Sequence, residues 1–278
     1  GERMKWRNIV KKLLFTLLAT LIAFIMVLPF VWMVSSSFKL KNEIFVKPIT
    51  WIPRQFHLDN YQTVLSQIPF PTYFLNTAKL TVIITLVQTF TSLMASYSFS
   101  KLHFPGRDKI FLAYLGTMMV PWHAIMIPQF LVIQNLHLYN THWSLILTGA
   151  FSAFGVFLLR QNMMSIPDSL IEAAKIDGAG PMGVFLRIVI PLTKTGIATL
   201  VCLTFNSVWN DYMGPMIYLD SDELRTIQLG LATFRRQYDT NYGAIMAGTV
   251  ISIIPIVIVY AFCQNYIVDG IAHTGVKG

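Results

Sequence analysis

Two stretches of this chain, Leu13 to Val34 and Ile245 to Phe262, contain no charged residue at all. Each is long enough, at 1.5 Å per helical residue, to cross a hydrocarbon core about 30 Å thick. In that medium every backbone N–H and C=O must be paired within the segment, so such runs are helices facing lipid or one another. The rest of the chain agrees, with 54% hydrophobic residues, 12% charged residues and a mean hydropathy of +0.57. A water-soluble domain of this length carries about twice that share of charge.

Division at breakers and polar stretches predicts six spans, near 13–35, 74–99, 110–133, 144–163, 195–219 and 243–266. The expected fold class is therefore all-α, a polytopic membrane protein forming one transmembrane domain over 1–278. The first run follows Lys5, Arg7, Lys11 and Lys12. It is too long for a secretory leader and lacks a small-residue cleavage site, so it reads as a retained signal anchor. Cationic flanks resist translocation, which sets orientation. With both termini inside, the cytoplasm receives Arg3, Lys5, Arg7, Lys11, Lys12, Lys101, Arg107, Lys109, Arg160, Lys175, Arg187, Lys194 and Lys277. The outside receives only Lys39, Lys41, Lys47, Arg54, Arg225, Arg235 and Arg236, with Lys79 at a boundary. This asymmetry accounts for the net charge of +8 without nucleic acid as a partner.

Between the fourth and fifth spans lies a segment, 165–194, that is too apolar for a solvated cytoplasmic loop. Pro167 with Asp168 or Ser169 starts a helix, Leu170, Ala173, Ala174 and Ile176 give it an apolar face, and Asp177-Gly178 ends it. A second helical piece then runs to Pro191. A helix pair with uncovered apolar surface calls for a protein partner.

Glu172-Ala173-Ala174, Asp177-Gly178-Ala179, Phe185, Ile188 and Pro191-Leu192 together resemble the EAA loop of ATP-binding-cassette importer permeases. The resemblance extends over nearly the whole chain and is nearest to the smaller permease of maltose-type sugar importers. Ile49-Thr50-Trp51-Ile52-Pro53, Asn60-Tyr61, Tyr73-Phe74-Leu75-Asn76-Thr77, Trp209-Asn210-Asp211, Gln264, Gly270 and the terminal Val276-Lys277-Gly278 also carry it. Thr195 departs from the pattern, which commonly has proline there. The resemblance implies that 165–194 forms coupling helices seated in a groove of a cytoplasmic ATPase, with Glu172, Ala173, Ala174, Asp177, Gly178, Ala179, Phe185 and Pro191 as coupling residues. It implies as partners a second homologous permease, an ATPase dimer and an extracytoplasmic solute-binding protein. The setting is the bacterial inner membrane and its lipid. The chain is then a transport subunit and not an enzyme. No cofactor belongs to it, and ATP and Mg are bound by the ATPase partner.

Competing chemistry is thinly represented. Gly178-Ala-Gly180-Pro-Met-Gly183 spells a dinucleotide fingerprint without its strand or its later acidic residue, and no Gly-x-x-x-x-Gly-Lys-Ser/Thr loop occurs. The six histidines, His57, His103, His123, His137, His142 and His273, show no metal-ligand spacing. Cys202 and Cys263 fall in apolar segments and read as packing. Polar residues within spans are costly and tend to face a cavity, which makes Gln88, Gln129, Asn206, Trp209, Asn210, Asp211 and Tyr212 the candidate substrate pathway. Aromatic rings stack on sugars, and amides and carboxylates take their hydroxyls. A purely architectural role for Trp209-Asn210-Asp211 is the competing reading. Pro121, Pro128 and Pro255 are expected to kink or break their helices. Carbohydrate, in the form of an oligosaccharide, is the expected cargo. Arg235-Arg236 admits an acidic one such as a uronate polymer, a solvated loop being the alternative. The rival functions are a stand-alone secondary transporter and an ATP-binding-cassette permease for a polyol phosphate or a peptide.

Overall fold

The structure is a computed structural model that describes residues 2–235 and 240–275, with side chains described from 6 to 235 and 240 to 266. Arg236, Val276, Lys277 and Gly278 lie outside the described residues, as does the side chain of His273. The described elements are helical: α1 (Glu2–Ser37), α2 (Asp59–Gln67), α3 (Phe70–Lys101), α4 (Arg107–Gly116), α5 (Trp122–Asn135), α6 (His142–Gly149), α7 (Ala153–Met164), α8 (Asp168–Ile176), α9 (Pro181–Leu192), α10 (Lys194–Trp209), α11 (Met213–Tyr218), α12 (Ile227–Ala232) and α13 (Tyr242–Gly275).

Four stretches are long and apolar enough to cross a membrane: Trp6–Ser37, Phe70–Lys101, His142–Met164 and Tyr242–Tyr266. The third expected span is a bent pair, and a second bend lies between the 165–194 segment and the expected fifth span. Arg107–Met119 meets Trp122–Asn135 at 98°, and Pro181–Leu192 meets Lys194–Trp209 at 75°. Counting each pair as one span gives up to six. Pro121 explains the first break, because its ring cannot continue the preceding helix and it instead caps α5 in an extended conformation. Pro128 and Pro255 lie inside continuous helices, so of the three prolines only Pro121 interrupts one. The expected span 195–219 ends earlier, at Trp209, and a turn through Asn210–Tyr212 leads into α11.

The chain divides into two compact units, Gly1–Phe70 with Leu231–Ser252, and Pro71–Gly230 with Ile253–Gly278. In the first, the segment after α1 is pinned by polar contacts. Asn60 Nδ2 donates to the carbonyls of Ser37 (2.9 Å) and Lys39 (2.8 Å), and Ser37 Oγ lies 2.8 Å from Tyr61 Oη. Lys39 is buried and donates to the Thr50 carbonyl; burial pushes its ammonium below the ordinary lysine value, while Glu43 acts in the opposite sense.

The second unit holds two cores. One joins Leu93, Tyr97, Leu159, Met163, Ile171, Val184, Phe185, Val189 and Leu200. The other joins Leu80, Ile84, Ile133, Leu145, Ile146, Tyr218 and Leu219. Helices approach closely where glycine removes the side chain, as membrane bundles require in the absence of a hydrophobic drive between helices. At Gly155 a Cβ would sit 2.6 Å from Ser92 Oγ and 3.2 Å from a Leu200 methyl. Gly155→Val should therefore overpack the α3, α7 and α10 junction and lower stability by about 1–3 kcal/mol. Thermal unfolding in detergent measures the loss.

Candidate functional site: a coupling face and a polar cavity

The 165–194 segment folds as the sequence predicts. Pro167 precedes the first helical residue, Asp168, and α8 closes at Asp177, where Gly178 takes φ +84° so that the chain reverses toward α9. On α8 the apolar residues divide between two directions. Ile171 is buried and Ala174 half-buried against the core, whereas Leu170 is 46% exposed and Ile176 is 86% exposed. On α9, Val184, Phe185 and Val189 are buried, while Met182, Leu186 and Leu192 point outward. Of the predicted coupling residues, Glu172, Ala173, Asp177, Gly178 and Pro191 are exposed, Ala174 and Ala179 are half-buried, and Phe185 is buried beside Tyr97 at a ring separation of 5.0 Å. Phe185 thus roots this segment in the core.

That face is tied to α3. Tyr97 Oη donates to the Pro181 carbonyl at 3.0 Å. Lys101 Nζ donates to the Ile166 carbonyl and to Asp168 Oδ1, both at 2.7 Å. The hydrogen bond from Lys101, reinforced by its charge, holds the Asp168 carboxyl below the usual carboxylate range. A neighbouring cluster fixes the turn after α3. Arg160 Nη2 lies 3.2 Å from Asp108 Oδ1, Arg160 Nε donates to the Phe99 carbonyl, and its guanidinium sits 4.1 Å from the Phe111 ring centre. These lysine and arginine contacts were not legible in the sequence, where both residues served only as orientation markers.

Away from the coupling face, the second unit encloses a cavity of ≈ 400 Å³, within the range of small-molecule sites. Gln88, Gln129 and Asp211 from the predicted pathway line it. Gln129 Oε1 accepts from Trp122 Nε1 (2.9 Å) and from Tyr218 Oη (3.0 Å), and Gln88 Nε2 donates to Thr204 Oγ1 (2.9 Å). Asp211 Oδ1 accepts from the Gly214 amide at 3.1 Å, which starts α11. The other pathway residues are elsewhere. Trp209 is buried, stacked on Phe205 at 5.5 Å and edge-on to Phe74, as the architectural reading expects. Asn206, Asn210 and Tyr212 are exposed and do not line the cavity; Asn210 Nδ2 donates to the Asn206 carbonyl and Gln228 Nε2 donates to Asn210 Oδ1. Trp122, His123, Ser207 and Tyr218 also line the cavity. The Trp-His pair directly after Pro121 was the available sequence signal, since a broken helix places its first turn toward a cavity. Arg235 is exposed.

Residues 88–273 match the family described as "Binding-protein-dependent transport system inner membrane component". The chain is 34% identical over 260 residues to the arabinooligosaccharides transport system permease protein AraQ of Halalkalibacterium halodurans, covering 92% of this chain and 93% of that one. It is 33% identical to the polygalacturonan/rhamnogalacturonan transport system permease protein YtcP of Bacillus subtilis, covering 92% and 94%. Among solved structures it resembles a chain of a bacterial ABC transporter involved in the import of the acidic polysaccharide alginate, with a TM-score of 0.81, 26% identity and coverage of 93% and 96%.

Proposed function

This chain belongs to the family of binding-protein-dependent transport system inner membrane components, and from that premise we propose how it works as a multi-pass inner-membrane permease of a carbohydrate ABC importer. It pairs with a second permease and receives cargo from a solute-binding protein outside the membrane. Two copies of a separate ATPase bind ATP and Mg on the cytoplasmic side, and both termini of this chain lie on that side. The fifth span begins with α10, which continues out of the coupling segment through the bend after α9.

The observation that carries this reading is the outward apolar face of α8 and α9. Leu170, Ile176, Met182 and Leu186 stand exposed around Glu172 on elements whose opposite sides are rooted in the core. An apolar face rimmed by charge is a protein docking surface. Closure of the ATPase dimer moves that face, and the movement passes to α3 through Tyr97 and Lys101 and to α10 through α9. The cavity then opens alternately outward and inward, with Gln88, Gln129 and Asp211 on the cargo route. Asn206, Trp209, Asn210 and Tyr212 border the same turn and support it.

Purification from the native membrane is expected to recover a second permease and an ATPase whose hydrolysis rises when the loaded solute-binding protein is added. The chain recovered alone, and active in liposomes without ATP, would identify a stand-alone transporter instead. For orientation, a cysteine placed at Lys175 should react with maleimide only after the inner membrane is permeabilised, and one at Arg54 should react in intact spheroplasts. The reverse pattern refutes the assigned topology.

A further inference from the structure

The cavity of the second unit carries a more specific message than its place on the cargo route. Trp122 Nε1–H is engaged by Gln129 Oε1, and the same oxygen receives Tyr218 Oη. One carboxamide therefore holds two aromatic rings, from α5 and α11, in fixed positions. The tryptophan's only donor is used in the plane of its ring, so what it offers the cavity is apolar surface. The amide nitrogen of Gln129 and the amide oxygen of Gln88 stay available as donor and acceptor. Thr226, 4% exposed, also lines the cavity, and its Oγ has no hydrogen-bond partner. A buried hydroxyl left in that state is destabilising until a ligand or water supplies its bond.

Among the described lining residues the ionisable side chains are Asp211 and His123 with the phenol of Tyr218, and neither lysine nor arginine is present. A sugar presents an apolar C–H face and a rim of hydroxyls, matching an aromatic platform ringed by neutral donors and acceptors. A uronate would bring a second carboxylate beside Asp211 in a partly dry site with no lysine or arginine to receive it. We propose that this cavity is a subsite for an uncharged sugar residue of the cargo, with Trp122 as its stacking platform, Gln129 as the positioning residue that holds that platform, and Asp211 as the group that discriminates against acidic sugars. The assignment rests on the carbohydrate-importer reading above.

The test uses the assembled importer in nanodiscs without its solute-binding protein, titrated with arabinotriose and with trigalacturonate by saturation-transfer NMR. Wild type is expected to bind arabinotriose at least tenfold more tightly than trigalacturonate. Trp122→Ala should weaken arabinotriose binding at least tenfold and Trp122→Phe should restore most of it. Asp211→Asn, which keeps the oxygen that caps α11, should narrow the gap between the two sugars. Binding of neither sugar, equal or tighter binding of trigalacturonate, or indifference to Trp122→Ala overturns the subsite. ATP-coupled uptake would persist if only the subsite were misassigned, so the two readings fail separately.

Discussion

Gly178→Val is expected to cut ATP-driven uptake by about tenfold to a hundredfold while leaving the chain inserted and assembled. Gly178 has φ +84°, and a Cβ built there meets nothing within 4 Å. The penalty for a side chain is thus purely conformational. A β-branched residue in that region costs about 1–3 kcal/mol, and each 1.4 kcal/mol is tenfold in an equilibrium. Relief comes by opening the turn, which swings α9 away from α8 and divides the docking face. Asparagine tolerates the left-handed region far better. Gly178→Asn should therefore keep most of the uptake, whereas a steric or specific-contact role would make both variants fail alike. The readout is the ratio of sugar taken up to ATP hydrolysed in proteoliposomes, with ATPase activity falling less than uptake. Glu172→Ala, on the exposed centre of the same face, should shift that ratio in the same direction and by less.

Which parts of this arrangement could be read in advance follows from the range of the forces involved. The helix pair of 165–194 was legible because its determinants are local: a proline before the first turn, small residues on one face, and a glycine where only a positive φ closes the turn. The second and sixth spans were legible for a similar reason, since length and apolarity suffice to make a continuous helix. The third was read as a single span, but hydropathy averages over a window and is blind to a bend of 98°. Pro121 signalled the first bend. The second, at Thr193, falls just after Pro191, at the boundary expected between the 165–194 segment and the span from 195. For the cavity, polarity within a span identified Gln88, Gln129 and Asp211 but could not separate them from Asn206 and Asn210, whose partners lie on their own or a nearby turn. Trp122 and Tyr218 are apolar-looking aromatics 96 positions apart in sequence, brought together by one glutamine oxygen. Only the fold makes them a pair.

Lys101 illustrates the same point and gives the second large effect. Its side chain is 5% exposed, while that of Asp168, its ion-pair partner, is 79% exposed. The two halves of this strap are unequal. An exposed carboxylate loses little when neutralised, because water replaces the pairing and salt screens it. The Ile166 carbonyl, on a residue 5% exposed, has Lys101 Nζ as its side-chain donor. Lys101→Met removes that donor at a cost of about 1–3 kcal/mol. We therefore expect Lys101→Met to loosen the junction between α3 and α8 and to reduce coupled uptake by about tenfold, with Asp168→Asn reducing it only slightly. The double variant should match Lys101→Met alone, since Asp168 acts through the lysine. Additive losses would show that Asp168 works through a different partner. The pH dependence has a fixed sign. Asp168 titrates below the ordinary 3.8 in the folded chain, so its contribution is complete at neutral pH and disappears only as pH falls through that lowered value. Coupled uptake by wild type and by Asp168→Asn should accordingly converge in acid, whereas the deficit of Lys101→Met should persist there.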